Sequence, residues 1–153
     1  NLPGHLQNHP HIYTAITGKP LDREGLIHQS EKFYNFERIF NLRMGKGTSE
    51  YHHAPDRGLG PVWEDEWNER PDYFDGRLKE FGVDIEGLSV KEKIALLQKY
   101  RRGQWQELKM AVYKRRGWNK NGIPTLETVK RLGLDYPDVV ELLQKHLKPE
   151  DEF

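Results

Sequence analysis

Cysteine is absent from this sequence of 153 residues. The chain therefore forms no disulfide and offers no thiolate ligand to zinc or to an iron–sulfur cluster. Apolar residues are also scarce: Ala, Val, Ile, Leu, Met, Phe, Trp and Tyr together make up 35% of the chain. This is low even though the average of roughly 45–50% for globular domains also counts glycine. We expect a thin hydrophobic core for a chain of this length.

Two further absences limit where the protein works and what it binds. No apolar run reaches the roughly 18 residues that a membrane-spanning helix needs, and no basic and apolar secretory leader opens the sequence. Lysine and arginine (24) balance aspartate and glutamate (24), so no excess of positive charge attracts nucleic acid. The sequence predicts a cytoplasmic protein with no membrane span and no nucleic-acid partner.

Helical periodicity is the main pattern that the sequence does contain. Over residues 21–45, apolar residues recur three or four apart, which predicts a helix with one buried face. Residues 1–20 mix glycine and proline with one short apolar run, and predict a connector from upstream domains. Residues 46–88 show no sustained period and predict an irregular insertion with one short helix. Residues 89–153 again show helical patterns and predict a helical C-terminal region.

Short-range signals indicate where the predicted helices begin and break. Asp22 can cap the first helix, and Ser89 with Glu92 fits a capping box at the start of a long one. Thr125 can cap a short helix near the C-terminus. Glycine is a weak helix former, so Gly103 predicts a division of the long helix into two pieces.

Histidines supply two candidate metal sites. His52 and His53 lie close to Asp56, but adjacent side chains of an extended segment point in opposite directions, and no second cluster completes a ligand set. The other candidates form a short tract near the amino terminus: His5, His9 and His11. Such a tract can bind metal, but it is more often a solvated loop. We expect no metal ligand in either place.

An acidic run is the third candidate for chemistry. It surrounds Trp67 and consists of Glu64, Asp65, Glu66 and Glu69. Paired carboxylates can exchange protons in general acid–base catalysis, but a solvated face or a docking patch for a basic partner is the commoner role of such a run. The sequence has no phosphate-binding glycine loop, nucleophile elbow or paired-histidine zinc motif, so these residues alone identify no reaction.

Three segments, in this order, carry a resemblance to a known family. Residues 15–18 and 21–26 are similar to a threonine-glycine turn before an acidic helix start. Residues 30–45 are similar to a helix with the pattern Glu-Arg-Ile-x-Asn-Leu-Glu-Arg-x-Phe-Asn-x-Arg-x-Gly. Residues 113–125, followed by 132–134, are similar to an ending with a tyrosine, Arg-Gly-Trp and Asn-Gly-x-Pro-Thr. All three resemble the C-terminal region of the tungsten-pterin aldehyde:ferredoxin oxidoreductases.

The resemblance implies a mainly α fold, namely the helical C-terminal domain of a larger α/β-containing enzyme with a long irregular insertion. It implies a tungsten bis-pterin and a 4Fe–4S cluster in the complete enzyme, with no cofactor bound by this segment alone. The implied partners are upstream domains or a companion chain, and an electron-transfer protein or subunit. Class II benzoyl-CoA reductases, which act on an aromatic acyl thioester, are the alternative within the family.

Two hypotheses from different classes follow. In the first, the chain supports the cofactor domains of an oxidoreductase that acts on an aldehyde or an aromatic acyl-CoA, and the segment alone is inactive. No catalytic residue is then expected here, although His53 and Arg57 are the first suspects if the insertion reaches the substrate channel. In the second, the chain is an independent helical protein-interaction module that docks through its tryptophan-rich acidic loop.

One local expectation concerns an aromatic side chain. Gly117 and Gly122 bracket Trp118 in a turn that directly follows the long helix. Glycine permits the tight backbone that such a turn requires. We therefore expect Trp118 to be buried beside the end of that helix.

Overall fold

The computed structural model describes the backbone of residues 5–153 and the side chains of residues 7–153. Within that range the chain forms seven α-helices, three short 3₁₀ helices and no β-strand, which confirms the predicted mainly α fold. The α-helices are α1 (His5–Thr17), α2 (Arg23–Arg43), α3 (Glu64–Asn68), α4 (Pro71–Glu80), α5 (Val90–Arg115), α6 (Leu126–Arg131) and α7 (Pro137–His146). None of these described helices is long and apolar enough to cross a membrane.

The predicted helix caps are confirmed. Asp22 Oδ1 accepts a hydrogen bond of 2.7 Å from a backbone amide in the first turn of α2. At the start of α5, the Glu92 carboxylate accepts from the Ser89 backbone amide at 2.8 Å. Thr125 Oγ1 accepts from a first-turn amide of α6 at 3.2 Å. Each bond satisfies a donor that the helix itself leaves unpaired.

Two helices are longer than the sequence predicts. We expected a division at Gly103, but α5 runs unbroken through that residue. A single glycine costs a helix only about 1 kcal/mol, and α5 extends for several turns on both sides of it. In the described part of the predicted connector, α1 continues through Pro10, whose side chain is buried. Residues 1–4 of that connector lie outside the described residues.

The chain divides into two compact units. Unit 1 contains the described residues up to Tyr51 together with Tyr113–Phe153, and unit 2 is His52–Val112. These boundaries differ from the predicted limits of the insertion at residues 46 and 88. The compact structural unit extends to Val112. The separate role of residues 46–88 remains a prediction.

Unit 1 has a hydrophobic core made by α2, α6, α7 and the segments that join them. Its buried side chains are Ile39, Leu42, Ile123, Val129, Leu132, Leu134, Val139 and Leu143. The core residues of α2 are far in sequence from the rest, so α2 is held by contacts with the C-terminal helices. The hydrophobic effect over this cluster is the main stabilising term of the unit.

Unit 2 has a second hydrophobic core of its own. Trp67, Leu78, Ile94 and Leu97 are buried there, on α3, α4 and α5. A partly buried ion pair supports it, in which Lys93 Nζ lies 2.9 Å from Asp75 Oδ2. The description of this region as irregular is therefore incomplete: its loops carry short helices that pack on the first half of α5.

Helix α2 carries apolar side chains on two opposite faces, whereas the sequence pattern predicts a single buried face. Asn35, Arg38, Ile39 and Leu42 point into unit 1. On the opposite face lies an exposed row, which we call the α2 stripe: Phe33, Phe36, Phe40 and Met44. The periodicity of the sequence correctly predicts a helix here. It does not show which face of the helix packs inside the unit and which face is exposed.

Candidate functional site

The two groups of histidines considered as candidate metal sites do not form a ligand cluster among the described residues. His53 is exposed, and Asp56 forms an ion pair with Arg102 on α5. His9 and His11 are exposed on α1, where side chains two positions apart do not face each other. The side chain of His5 lies outside the described residues. Over the part that is described, no group of three or more histidine, aspartate or glutamate side chains is placed to hold a metal ion.

Glu66 is the carboxylate of the acidic run that makes side-chain hydrogen bonds and an ion pair. Its Oε2 accepts a hydrogen bond of 2.8 Å from the Val62 backbone amide, and its Oε1 lies 2.5 Å from Arg57 Nη1. The Val62 bond is the chief cause that lowers the pKa of Glu66. A carboxyl group with a lowered pKa is ionised at neutral pH, so Glu66 has no proton to donate there. Its role in the structure is to cap the start of α3.

Arg57, one of the two suspected active-site residues, belongs to this same local arrangement. Its guanidinium carbon lies 5.7 Å from the centre of the Trp63 ring, and its other contact is the Glu66 carboxylate. The side chain remains largely exposed. These contacts explain why an arginine lies at this position without requiring a role in catalysis, and the suggested roles of Arg57 and His53 remain predictions.

The clearest cluster of polar and aromatic side chains lies in unit 1, on the second and third segments that carry the family resemblance. We call it the cation–aromatic cluster: Tyr34, Arg38, Tyr113, Arg116 and Trp118. The Arg116 guanidinium carbon lies 4.1 Å from the centre of the Tyr34 ring and 5.5 Å from that of Trp118. The Arg38 carbon lies 4.8 Å from the Trp118 ring. Two cations therefore share one indole ring.

Hydrogen bonds fix the buried half of this cluster. Trp118 Nε1 donates to Asn35 Oδ1 at 2.8 Å, and Asn35 Nδ2 donates to the Glu31 carbonyl at 2.9 Å. Arg38 Nε donates to the Gly122 carbonyl at 2.7 Å. Buried polar groups destabilise a fold when they lack partners, and these bonds give the buried side chains their partners. The bonds of Trp118 and Arg38 also join α2 to the turn that follows α5.

Burial sets the electrostatics of the cluster. It lowers the pKa of the Arg38 guanidinium, and a favourable interaction with the Tyr113 phenol opposes the effect. Burial likewise raises the pKa of Tyr113. An arginine remains charged in proteins, and a tyrosine with a raised pKa keeps its proton at neutral pH. Arg38 and Tyr113 therefore keep their protons at neutral pH, and the cluster is suited to holding three segments together.

The turn over residues 117–125 supplies the other side of the cluster. The Thr125 amide donates to the Gly117 carbonyl at 3.0 Å, and the Asn119 amide donates to the Ile123 carbonyl at 2.8 Å. Asn119 Oδ1 accepts from the Ile123 amide at 2.9 Å. The turn is closed by its own backbone and by one asparagine side chain. It places Trp118 with 8% of its surface exposed, which confirms the predicted burial.

Two polar residues of this cluster could be recognised in part from their positions in the helical pattern of α2. Asn35 and Arg38 share the spacing of Ile39 and Leu42, so they occupy the buried face of α2 despite being polar. A pattern of apolar residues alone does not include them. A polar residue at a core position of a helical pattern is the signal that could have identified the two residues.

A family model described as aldehyde ferredoxin oxidoreductase, domains 2 & 3, matches residues 1–134. That range contains all the segments that carry the resemblance, and both arginines of the cation–aromatic cluster. The match gives no support to the narrower attribution to class II benzoyl-CoA reductases. No curated protein and no solved structure matches the chain.

Proposed function

This chain belongs to the aldehyde ferredoxin oxidoreductase family, and on that basis we propose that it is the helical C-terminal portion of an oxidoreductase that acts on an aldehyde. The observation that carries the proposal is the family match over residues 1–134. The chemistry is the oxidation of an aldehyde and water to a carboxylic acid and two protons, with an electron pair passed to a low-potential carrier.

The chain itself does not fit the cofactors of such a reaction. A tungsten bis-pterin and a 4Fe–4S cluster would supply the redox chemistry, but a cluster of this kind is bound by cysteine thiolates. The sequence contains no cysteine, and the described side chains form no metal-binding group. The ligands would therefore belong to other parts of the enzyme.

We assign a supporting role to the residues of this chain. The cation–aromatic cluster joins α2, the end of α5 and the turn after it through hydrogen bonds and cation–ring contacts. Such an arrangement maintains a fixed surface for neighbouring domains. No residue from Leu21 to Phe153 is proposed as a metal ligand or as the principal proton-transfer group.

The alternative hypothesis of an independent docking module has less support. It relied on a tryptophan-rich acidic loop, but Trp67 is 1% exposed and belongs to the core of unit 2. Only Trp63 remains as an exposed tryptophan beside the carboxylates of that loop. A docking surface at this place would consist of one aromatic ring and a solvated acidic face.

Purification of the native enzyme tests the proposal. We expect intact mass to show a polypeptide or complex larger than this chain, and elemental analysis to show tungsten or molybdenum together with iron. The enzyme should reduce a viologen dye when an aldehyde is added. Reduction of an aromatic acyl-CoA by a low-potential donor, without aldehyde oxidation, would assign the benzoyl-CoA chemistry instead. A metal-free particle without either activity would contradict both.

Alanine substitutions in the complete enzyme test the assignment of no catalytic role. We expect His53→Ala and Arg57→Ala to leave metal content unchanged and to lower turnover by less than about 100-fold, the lower end of the effect of losing a general acid–base group. His28→Ala, at an exposed position of α2, is the matched control. If His53→Ala abolished turnover with normal metal content and melting temperature, the loop would have to be placed in the active site.

A further inference from the structure

The outward face of α5 carries a row of residues that is symmetric about Gly103. Lys99 lies four positions before this glycine and Glu107 lies four positions after it. Leu96 and Met110 lie seven positions before it and seven after. Steps of three and four positions keep residues on one face of a helix, so these five residues form a row, which we call the α5 row. All of them belong to unit 2.

The charged members of the α5 row have no ion-pair partner among the described residues. Lys99 and Glu107 are exposed, and neither takes part in any ion pair found there. They do not reach each other, because the helix between them is roughly 12 Å long. Opposite charges stabilise a helix when they are three or four positions apart, so this pair adds no such support to α5.

Gly103, at the centre of the row, has no packing role within the described chain. A Cβ added there would meet nothing within 4 Å, and the residue does not have a positive φ. Glycine weakens the interior of a helix, so the fold of the chain gives no reason for it here. The absent side chain leaves the backbone of α5 open beside a shallow groove of about 530 Å³, which Leu96 and Tyr100 also line. A second helix can approach such an open backbone closely.

Symmetry makes the α5 row complementary to itself. When two antiparallel helices are related by a two-fold axis, a residue before the axis faces the residue that lies equally far after it on the partner. With the axis at Gly103, Lys99 faces Glu107 of the partner subunit, and Leu96 faces Met110 of the partner subunit. Both contacts occur twice, and the two glycines meet where the helices cross. We propose that a second copy of this chain packs on α5 in this antiparallel arrangement.

The charges favour this occupant and this orientation. Parallel pairing would place the Lys99 side chains of two copies together, and the Glu107 side chains likewise, and like charges at a contact are unfavourable. An unrelated partner would require neither equal spacing about Gly103 nor opposite charges at the two ends of the row. Ion pairs beside paired helices set orientation and partner choice, although each exposed pair adds little affinity. A single helix crossing buries less than the roughly 800 Å² per partner of a stable complex, so we expect the copies to pair reversibly.

Disulfide trapping in the complete enzyme tests the proposal. Gly103→Cys places a thiol at the crossing point, and the chain has no cysteine of its own. A disulfide requires roughly 3.5–4.5 Å between the two Cβ atoms, which a close crossing at this position provides. After mild oxidation, we expect peptide mass spectrometry to find position 103 of one copy joined to position 103 of another.

Lys91→Cys, at an exposed position of the same helix, is the matched control. Positions 91 of two antiparallel copies lie at opposite ends of the paired helices, so we expect at least about tenfold less disulfide-linked product from this variant.

Charge reversal tests the orientation. In enzyme that carries the thiol at position 103, we expect Lys99→Glu alone, or Glu107→Lys alone, to lower the yield of the disulfide by about fivefold or more, because like charges then meet at both ends of the contact. Combining the two substitutions in one chain should restore the yield. Mixing the two single variants should restore it as well, since opposite charges then face each other between the unlike copies.

Three results would overturn the proposal. One is a disulfide yield at position 103 that is no higher than the yield at position 91. Another is a yield that charge reversal leaves unchanged, or that mixing the single variants fails to restore. The third is a disulfide from position 103 to a peptide outside this sequence, which would show that another part of the enzyme covers α5. None of these results depends on metal content or aldehyde oxidation, so the proposed function stands or fails separately.

Discussion

Gly117→Ala is expected to lower the free energy of unfolding of unit 1 by about 4 kcal/mol or more, which is among the largest effects of a single substitution. Gly117 has a φ of 68°, where an alanine is strained, and an added Cβ would overlap Thr128 Oγ1. Thr128 is 5% exposed, and its hydroxyl donates to the Gly117 carbonyl at 2.8 Å, so it has no room to move. Urea denaturation followed by circular dichroism measures the change.

Gly18→Ala is the matched control for this prediction. Gly18 has the same φ of 68°, but an added Cβ would meet nothing within 4 Å. Only the backbone strain remains, and we expect a loss of about 1 kcal/mol. The difference between the two variants then isolates the overlap with Thr128. Equal effects at the two positions would show that the close packing of Gly117 on α6 contributes nothing.

Trp118→Ala is expected to destabilise unit 1 by about 3–5 kcal/mol, the range for truncating a large buried aromatic side chain. The change removes a ring that is 8% exposed and leaves Asn35 Oδ1 without the donor it has at 2.8 Å. It also removes the ring face against which the buried Arg38 guanidinium lies. The same denaturation experiment measures the loss.

Trp63→Ala provides the comparison at an exposed tryptophan. Trp63 is 62% exposed, and its contact with the Arg57 guanidinium is on the surface, where such interactions stabilise by about 0.5–1 kcal/mol. We expect a loss of no more than about 1 kcal/mol. If Trp118→Ala had as small an effect, and iodide quenched Trp118 fluorescence freely in the unchanged chain, the burial of Trp118 would be refuted.

The sequence predicted best what depends on a few neighbouring residues. Asp22 and Thr125 begin their helices as expected, because a capping bond spans about three positions and needs no distant contact. The burial of Trp118 was also predictable, since its flanking glycines already indicate the turn. The break at Gly103 was wrong for a related reason: local propensity is weak, and the rest of a long helix outweighs it.

Contacts between distant residues could not be predicted from the same patterns. Trp118 meets Asn35 across 83 positions of sequence, and Arg38 meets Gly122 across 84. The sequence of either segment alone does not indicate which distant residue it contacts. The exposure of the α2 stripe could not be predicted for a different reason. Phe36 and Ile39 contribute equally to a helical period, although Phe36 is exposed and Ile39 is buried.

The division of the chain into units has a consequence for how a protein of this kind can gain sequence. Unit 2 is one contiguous stretch, His52–Val112, entered and left at single points of the chain that builds unit 1. It is roughly ten times longer than an ordinary connection of about 4–6 residues. In polymer terms, closing a loop of that length costs only about 2 kcal/mol more than closing a short one. Burial of Trp67 and Leu78 in the core of unit 2 offsets the free-energy cost of closing the loop. Ile39 and Leu143 belong to the separate core of unit 1, so we expect that core to remain intact if such a segment is gained or lost.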